Sequence, residues 1–117
     1  MNPWILTGIL SAHWFADFVM QTDKMAVNKS TSNKWLLSHV LCYSLWLGIL
    51  TAWIFPFPQA IAFVALNGMA HAITDYGTSR WTSYLWKKQD RHNFFVVIGL
   101  DQLIHTVTLI GTYNWLS

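Results

Sequence analysis

Six ionisable side chains lie inside apolar stretches of this sequence, in pairs whose members are four residues apart. The pairs are His13 and Asp17, His71 and Asp75, and Asp101 and His105, and a further histidine, His39, lies near the start of another apolar stretch. Residues four apart share one face of an α-helix, so each pair presents an imidazole and a carboxylate together. A charged aspartate at the centre of a bilayer costs about 2.5–3.5 kcal/mol, so these groups need partners or a function.

Imidazole and carboxylate groups in one place are typical of sites for divalent transition metals. We expect zinc first, with manganese, iron or nickel as alternatives, in one or two ions. The expected metal ligands are His13, His39, His71, Asp75, Asp101 and His105. The candidates outnumber the four ligands of a tetrahedral ion, so either two ions share the site or some aspartates orient histidines. A single pair could also be a structural hydrogen bond between helices.

The composition predicts that these residues lie in a membrane protein. Of the 117 residues, 54% are hydrophobic and only 10% are charged, whereas about a quarter are charged in soluble proteins. Four apolar segments, at about 3–21, 35–55, 59–79 and 94–116, approach the ~20 residues that cross a bilayer. We therefore expect one integral membrane domain over residues 1–117, folded as an all-α four-helix transmembrane bundle with loops at 22–34, 56–58 and 80–93.

The basic residues predict an orientation for this bundle. All seven Lys and Arg residues fall in the two long loops, 22–34 and 80–93. Positive loops stay in the cytoplasm, so both termini are expected on the outer side of the plasma (inner) membrane. The polar residues would then lie in the cytoplasmic half of the helices and face one another, in a pocket that opens to the cytoplasm. Membrane lipid is the expected partner, nucleic acid is not, and a homo-oligomer is left open.

The same residues carry a resemblance to a known family. The elements that match are the run from His13 through Asp17 to Gln21, then Asn28-Lys29, His39, His71-x-x-x-Asp75 and Asp101-Gln102-x-x-His105. Over nearly its whole length the chain resembles the small bacterial and phage membrane proteins grouped as domain of unknown function 3307. It is more distantly similar to families labelled membrane-bound metal-dependent hydrolases. The resemblance implies a shared site but no particular reaction.

The first expected function is metal-dependent hydrolysis of a phosphoester or a lipid headgroup. A metal-bound water would lose its proton to a catalytic carboxylate, for which Asp17 and Asp75 are the candidates. Asp17 is preferred because it lies about one turn from the cytoplasmic boundary, where water and a headgroup can arrive, and because Gln21 lies one turn beyond it. The expected substrate-binding residues are Gln21, Asn28, Lys29 and Gln102.

Two alternatives come from other classes of protein. His and Asp chains in membrane spans also relay ions or protons. Against transport, the outer halves of the second and fourth segments offer only the hydroxyl groups of Ser44, Thr51, Thr108 and Thr112. The chain could instead be a non-catalytic membrane factor whose polar cluster is structural, which tolerance of alanine at the pairs would favour.

Overall fold

The computed structural model describes residues 1–117 as an all-helical chain without strands. Its elements are α1 (Pro3–Trp14), a π-helical turn (Phe15–Val19), α2 (Asp23–Asn28), α3 (Asn33–Thr51), α4 (Phe57–Lys87) and α5 (Arg91–Leu116). The expected all-α class is confirmed, and the short helix α2 is an addition within the first expected loop.

Short polar side chains begin the helices that follow the two long loops. The hydroxyl of Ser32 accepts a hydrogen bond from the backbone N–H of Trp35 at 3.4 Å and begins α3. The carboxylate of Asp90 accepts one from the N–H of Asn93 at 3.1 Å and begins α5. The side chain and backbone of Asn93 both donate to Asp90, and these bonds hold the pKa of that carboxyl below its ordinary value.

The expected end of the third helix at residue 79, and with it the expected loop at 80–93, was wrong. Instead of ending at residue 79, α4 continues to Lys87, and α5 begins at Arg91. The fall in hydropathy after residue 79 marks the end of an apolar segment and not the end of a helix, because Lys and Arg are good helix formers. Arg80 supports the extension, since its guanidinium lies 3.7 Å from the ring centre of Tyr76 and donates to the Tyr76 carbonyl.

The tight connection between α4 and α5 depends on a left-handed residue. Gln89 has a φ of 61°, a conformation that glycine usually adopts at the end of a helix. The N–H of Gln89 donates to the carbonyl of Trp86, and the N–H of Asp90 donates to that of Leu85, each at 3.0 Å. These bonds satisfy the last carbonyl groups of α4 and reverse the chain.

The first helix differs from the expected single span over residues 3–21. It is α-helical to Trp14 and then forms the π turn, in which the N–H of Met20 donates to the carbonyl of Phe15, five residues earlier, at 3.0 Å. A π turn holds one more residue than an α-helical turn, so residues that share a helix face across it are five positions apart instead of four. Asp17 lies in this turn.

All Lys and Arg residues lie at one end of the bundle, which we call the basic end (residues 22–34 and 80–93). Arg80 donates to the side chain of Asn33 at 2.9 Å, and Ser83 donates to Ser30 at 2.8 Å. These bonds bring the two loops expected in the cytoplasm together. At the other end, the rings of Phe55 and Tyr113 lie 5.6 Å apart, which places the 52–56 turn beside the end of α5.

The bundle is apolar on its outer faces, and its interior contains both apolar and polar side chains. Large apolar side chains on the outer faces are more than half exposed, among them Leu41, Leu45, Ile73 and Val107. An apolar core that includes Ile9, Leu47, Phe63 and Leu109 fills part of the interior. By length and composition, one helix, α5, is apolar enough to cross a membrane.

Candidate metal centre

The seven residues singled out by their spacing converge in the interior, although they come from α1, the π turn, α3, α4 and α5. They are His13, Asp17, His39, His71, Asp75, Asp101 and His105, and we call them the cluster. None of them exposes more than 9% of its surface. Eight pairs of their imidazole and carboxylate atoms, or of a carboxylate and Lys29, lie within 4.0 Å of each other. The convergence expected from helical spacing is therefore confirmed.

Four atoms form a compact group that we call the tetrad. They are Asp17 Oδ1, His39 Nε2, His71 Nε2 and Asp75 Oδ2. The Nε2 atom of His39 lies 3.0 Å from His71 Nε2, 3.1 Å from Asp17 Oδ1 and 3.3 Å from Asp75 Oδ2. The Nε2 atom of His71 lies 3.4 Å from the Asp17 oxygen and 3.3 Å from that of Asp75. Two ligands of a tetrahedral zinc ion, each ~2.0–2.1 Å from it, are about 3.3 Å apart. Five of the six separations in the tetrad thus match the donor spacing of one such ion, and the sixth, between the two carboxylate oxygens, is within 4.8 Å.

A second group of possible ligands lies beside the tetrad. It consists of Asp17, Asp101 and His105, whose ligand atoms also lie within 4.8 Å of one another. The Nε2 atom of His105 is 3.2 Å from Asp101 Oδ2 and 3.6 Å from Asp75 Oδ1, but it has no hydrogen-bond partner. A buried polar atom without a partner costs about 1–3 kcal/mol, so this nitrogen would gain from a bound cation or water.

His13 lies beside the tetrad, in a hydrogen-bond network of its own. Its Nδ1 atom is 3.0 Å from the hydroxyl of Tyr43, and its Nε2 atom is 3.1 Å from the side-chain oxygen of Gln102. The amide nitrogen of Gln102 donates to Asp101 Oδ2 at 3.0 Å and reaches Asp17 Oδ2 at 3.4 Å. Both nitrogens of His13 therefore have protein partners, and the geometry favours an orienting role over the expected ligand role.

Two residues that sequence reasoning missed hold the cluster in place. The ring of Tyr43 stacks on that of His71, with centres 4.0 Å apart, and His71 stacks in turn on His105 at 4.2 Å. Thr78 donates to Asp101 Oδ1 at 2.5 Å. Tyr43 lies one helical turn after His39, so the same spacing rule could have found it.

Lys29 brings a positive charge into the cluster from the end of α2. Its ammonium group donates to Asp75 Oδ2 at 2.9 Å. With neutral imidazoles, the three aspartates contribute −3 and Lys29 contributes +1, which leaves a formal charge of −2. One divalent cation would neutralise that charge, and burial makes such neutralisation energetically important.

A cavity of about 250 Å³, which we call the inner cavity, adjoins the cluster at the basic end. Its polar lining includes Asp17, Gln21, Lys29, Asp75, Asp101 and Gln102. Three of the four expected substrate-binding residues thus line the cavity. Asn28 does not, because its amide donates to the carbonyl of Lys24 in its own helix at 2.9 Å.

The fold and the cluster define an all-helical protein with a buried His/Asp site that could hold a metal ion. The model of the family described as protein of unknown function (DUF3307) matches residues 5–117, and the chain belongs to that family. No curated protein and no solved structure matches the chain. The matched region contains every residue of the cluster.

Proposed function

We propose that the protein is an integral membrane hydrolase that depends on a divalent metal ion, with zinc preferred, and that acts on a phosphoester or a lipid headgroup. The observation that carries the proposal is the set of five separations of 3.0–3.4 Å within the tetrad. Each separation alone is also that of a hydrogen bond, and it is their occurrence together in one buried group of four ligand atoms that supports the metal site.

His39, His71 and Asp75 are the proposed metal ligands. Three protein ligands and one open position are the usual arrangement of a catalytic zinc site, whereas structural sites are closed by four. A bound ion would supply a water whose pKa is lowered towards ~7. Asp17 Oδ1 is the fourth atom of the tetrad, and Asp17 also lines the inner cavity. We propose that this carboxylate leaves the fourth position on the ion to a water. Asp17 is therefore the proposed general base, and Asp75, the other expected catalytic carboxylate, is proposed as a ligand.

The local structure around Asp17 suits a base. Its carboxylate comes from the π turn, and such turns often occur at functional sites. Its second oxygen, Oδ2, lies 3.4 Å from the amide of Gln102 and 3.6 Å from Nε2 of His13. These contacts hold Oδ2 beside Gln102 and His13 and leave Oδ1 to accept a proton.

The surface of the bundle supports placement in a membrane. A soluble protein rarely exposes a large continuous apolar surface, yet here the faces of α3, α4 and α5 are apolar and the ionisable groups lie inside. Exposed examples along α3 are Leu37, Leu41, Leu45 and Ile49. We propose a multi-pass protein of the plasma (inner) membrane, with the basic end and the inner cavity facing the cytoplasm.

The charge of the basic end, which surrounds the mouth of the acidic inner cavity, favours an anionic substrate. Lys29 lines the inner cavity, and all other Lys and Arg residues lie at the same end of the bundle. Basic groups at the cytoplasmic surface attract anionic lipid headgroups. A phosphoester would place its phosphorus beside the metal-bound water and its negative oxygens beside Lys29.

The proposal can be tested with detergent-purified protein by measuring metal content and hydrolysis together. Elemental analysis should find about one ion per chain, and hydrolysis should be measured with a chromogenic phosphodiester and with phospholipid in mixed micelles. His71→Ala should remove the ion, because it deletes a ligand. Asp17→Asn should keep the ion and abolish hydrolysis, because asparagine cannot accept the proton. Asp23→Asn, an exposed aspartate outside the cluster, is the matched control.

Each outcome has a distinct meaning. Loss of the ion in Asp17→Asn would make Asp17 the fourth ligand and remove the proposed base. A metal-loaded protein that hydrolyses neither substrate would overturn the hydrolase and favour transport or a structural role for the cluster. A metal content near zero, with the cluster intact, would overturn the metal site itself.

A further inference from the structure

A second cavity adjoins the inner one at the basic end. It measures about 410 Å³, and we call it the outer cavity. The two cavities share five lining residues, Ala26, Lys29, Ser79, Thr82 and Phe94. They therefore adjoin along the side of α4 that faces α2.

The two cavities carry opposite charge. The inner cavity is lined by Asp17, Asp75 and Asp101, with Lys29 as its one cation. The outer cavity is lined by Lys29 and Lys87 and has no acidic residue. A cation is therefore favoured deep in the bundle, and an anion is favoured next to it, with Lys29 at the junction.

Four hydroxyl groups line the outer cavity, those of Ser30, Ser79, Thr82 and Ser83. Thr82 donates to the carbonyl of Ser79 and Ser83 donates to Ser30, so Ser30 and Ser79 are the two whose protons are left for a ligand. Ser79 is 7% exposed, lines both cavities, and its Oγ atom is buried without a hydrogen-bond partner. A buried hydroxyl at the junction of two cavities indicates a ligand group that accepts its proton, because leaving it unpaired is costly.

We infer that the outer cavity binds the phosphate group of an organic phosphate. The ammonium groups of Lys29 and Lys87 face its charged oxygens, and Ser79 donates a hydrogen bond to it. This inference rests on the proposed function in one respect, namely that the bound phosphate belongs to the substrate. The phosphate group is common to soluble phosphoesters and to phospholipids, and the arrangement recognises that group.

Binding can be measured without turnover. Chelator-treated protein in detergent is titrated with glycerol phosphate, a soluble ligand, and with phosphatidic acid in mixed micelles, and ³¹P NMR reports the bound fraction. Tighter binding of glycerol phosphate would identify a soluble ligand as the source of the phosphate. Tighter binding of phosphatidic acid, compared at equal phosphate concentration, would identify a membrane lipid.

Two variants test the outer cavity itself. Lys87→Gln and Ser79→Ala should each weaken phosphate binding roughly five- to tenfold, because each removes one charge-assisted hydrogen bond. Lys24→Gln removes an equal charge from α2 but lies outside both cavities, and it should leave binding unchanged. Lys87 is exposed, so its replacement does not threaten folding.

The results separate this inference from the proposed function. Equal phosphate affinity in Lys87→Gln and Lys24→Gln, with Ser79→Ala also unchanged, would overturn the outer site while leaving the metal content and hydrolysis intact. Phosphate binding that depends on Lys87 and Ser79, in a protein without metal or hydrolysis, would keep the outer site and overturn the hydrolase.

Discussion

The Nε2 atoms of His39 and His71 lie 3.0 Å apart, although 32 positions separate the two residues and they belong to different helices. The other ring nitrogen of each, Nδ1, is buried without a hydrogen-bond partner. Two imidazole nitrogens at this separation either share one proton or bind one cation. The carboxylates of Asp17 and Asp75, 3.1–3.4 Å from these nitrogens, stabilise positive charge in this space, whether a proton or a metal ion carries it.

Lys29→Gln should strengthen metal binding. The Lys29 ammonium and a metal ion compete for the same oxygen, Asp75 Oδ2, which is 2.9 Å from Nζ. Removing the ammonium should lower the dissociation constant for zinc roughly fivefold or more, measured by competition with a chelating dye. The metal-free protein should unfold at a lower temperature, because Asp75 loses its counter-charge. Lys24→Gln is the control, and weaker zinc binding in Lys29→Gln would show that the two cations do not compete.

Tyr43→Phe should reduce stability without removing the ion. The substitution keeps the ring stacked on His71 but deletes the hydroxyl that lies 3.0 Å from Nδ1 of His13. Loss of this hydrogen bond should cost about 1 kcal/mol of unfolding free energy, measured by thermal unfolding in detergent. Tyr76→Phe, on an exposed tyrosine, should have almost no effect. Loss of zinc in Tyr43→Phe would instead give Tyr43 a direct part in holding the metal ligands.

Gly68→Ala should disturb the contact between α3 and α4. A Cβ atom at position 68 would lie 2.6 Å from the hydroxyl oxygen of Ser44 and 3.7 Å from its Cβ, so the Ser44 side chain would have to rotate to another rotamer. We expect a loss of up to about 1 kcal/mol in unfolding free energy, because the hydroxyl can move without the helices that carry His39 and His71.

Gly77→Ala provides the comparison for Gly68→Ala, because a Cβ there meets nothing within 4 Å. It should be neutral or stabilising by up to about 1 kcal/mol, since alanine favours helix more than glycine does. The double variant Gly68→Ala with Ser44→Ala should recover the lost stability, because no hydroxyl then meets the new Cβ. Equal unfolding free energies for Gly68→Ala and Gly77→Ala would contradict the packing argument.

Gln89→Gly should stabilise the protein. Residue 89 has a φ of 61°, and a side chain with a Cβ pays a conformational cost there that glycine avoids. The gain should be about 0.5–1 kcal/mol after the greater freedom of glycine in the unfolded chain is counted. Thermal unfolding measures it, with Gln89→Ala as the control that keeps Cβ. A lower unfolding temperature in Gln89→Gly would argue against the left-handed connection.

Cysteine labelling should establish the proposed orientation. In a Cys42→Ser background, Ser117→Cys should react with a membrane-impermeant reagent added outside intact cells, and Lys88→Cys should react only after lysis. The expectation follows from the concentration of all Lys and Arg residues at the basic end. The reverse pattern would place the cavities on the outer side and remove the argument for a substrate in the inner leaflet.

Much of the site could be predicted from the sequence because it depends on helical spacing. The pairs His71 with Asp75 and Asp101 with His105 needed only the rule that residues four apart share a helix face. Contacts that depend on how segments fold back were not predictable in this way. Lys29 meets Asp75 across 46 positions, and no local pattern specifies that approach.

The helices, like the site, could be predicted only where a local pattern of residues specifies them. The apolar segments located the four long helices, since hydropathy records which residues avoid water. Hydropathy does not record whether a helix continues into a polar region, so the extension of α4 through Arg80 to Lys87 was missed. The π turn was also missed, because its residues have no composition that separates them from an ordinary helix.

The π turn makes the number of residues between His13 and α3 as important as their types. Successive residues in an α-helix are rotated by about 100°. Deleting Phe15 or Ala16 would restore regular α-helical winding and bring Asp17 from the fourth to the third position after His13, which turns the Asp17 side chain by about that angle relative to His13. Asp17 would then leave the tetrad, although no residue of the cluster had been replaced. Insertions and deletions at this turn therefore belong among the changes that can inactivate the protein, and a comparison of related chains should count residues here as well as match them.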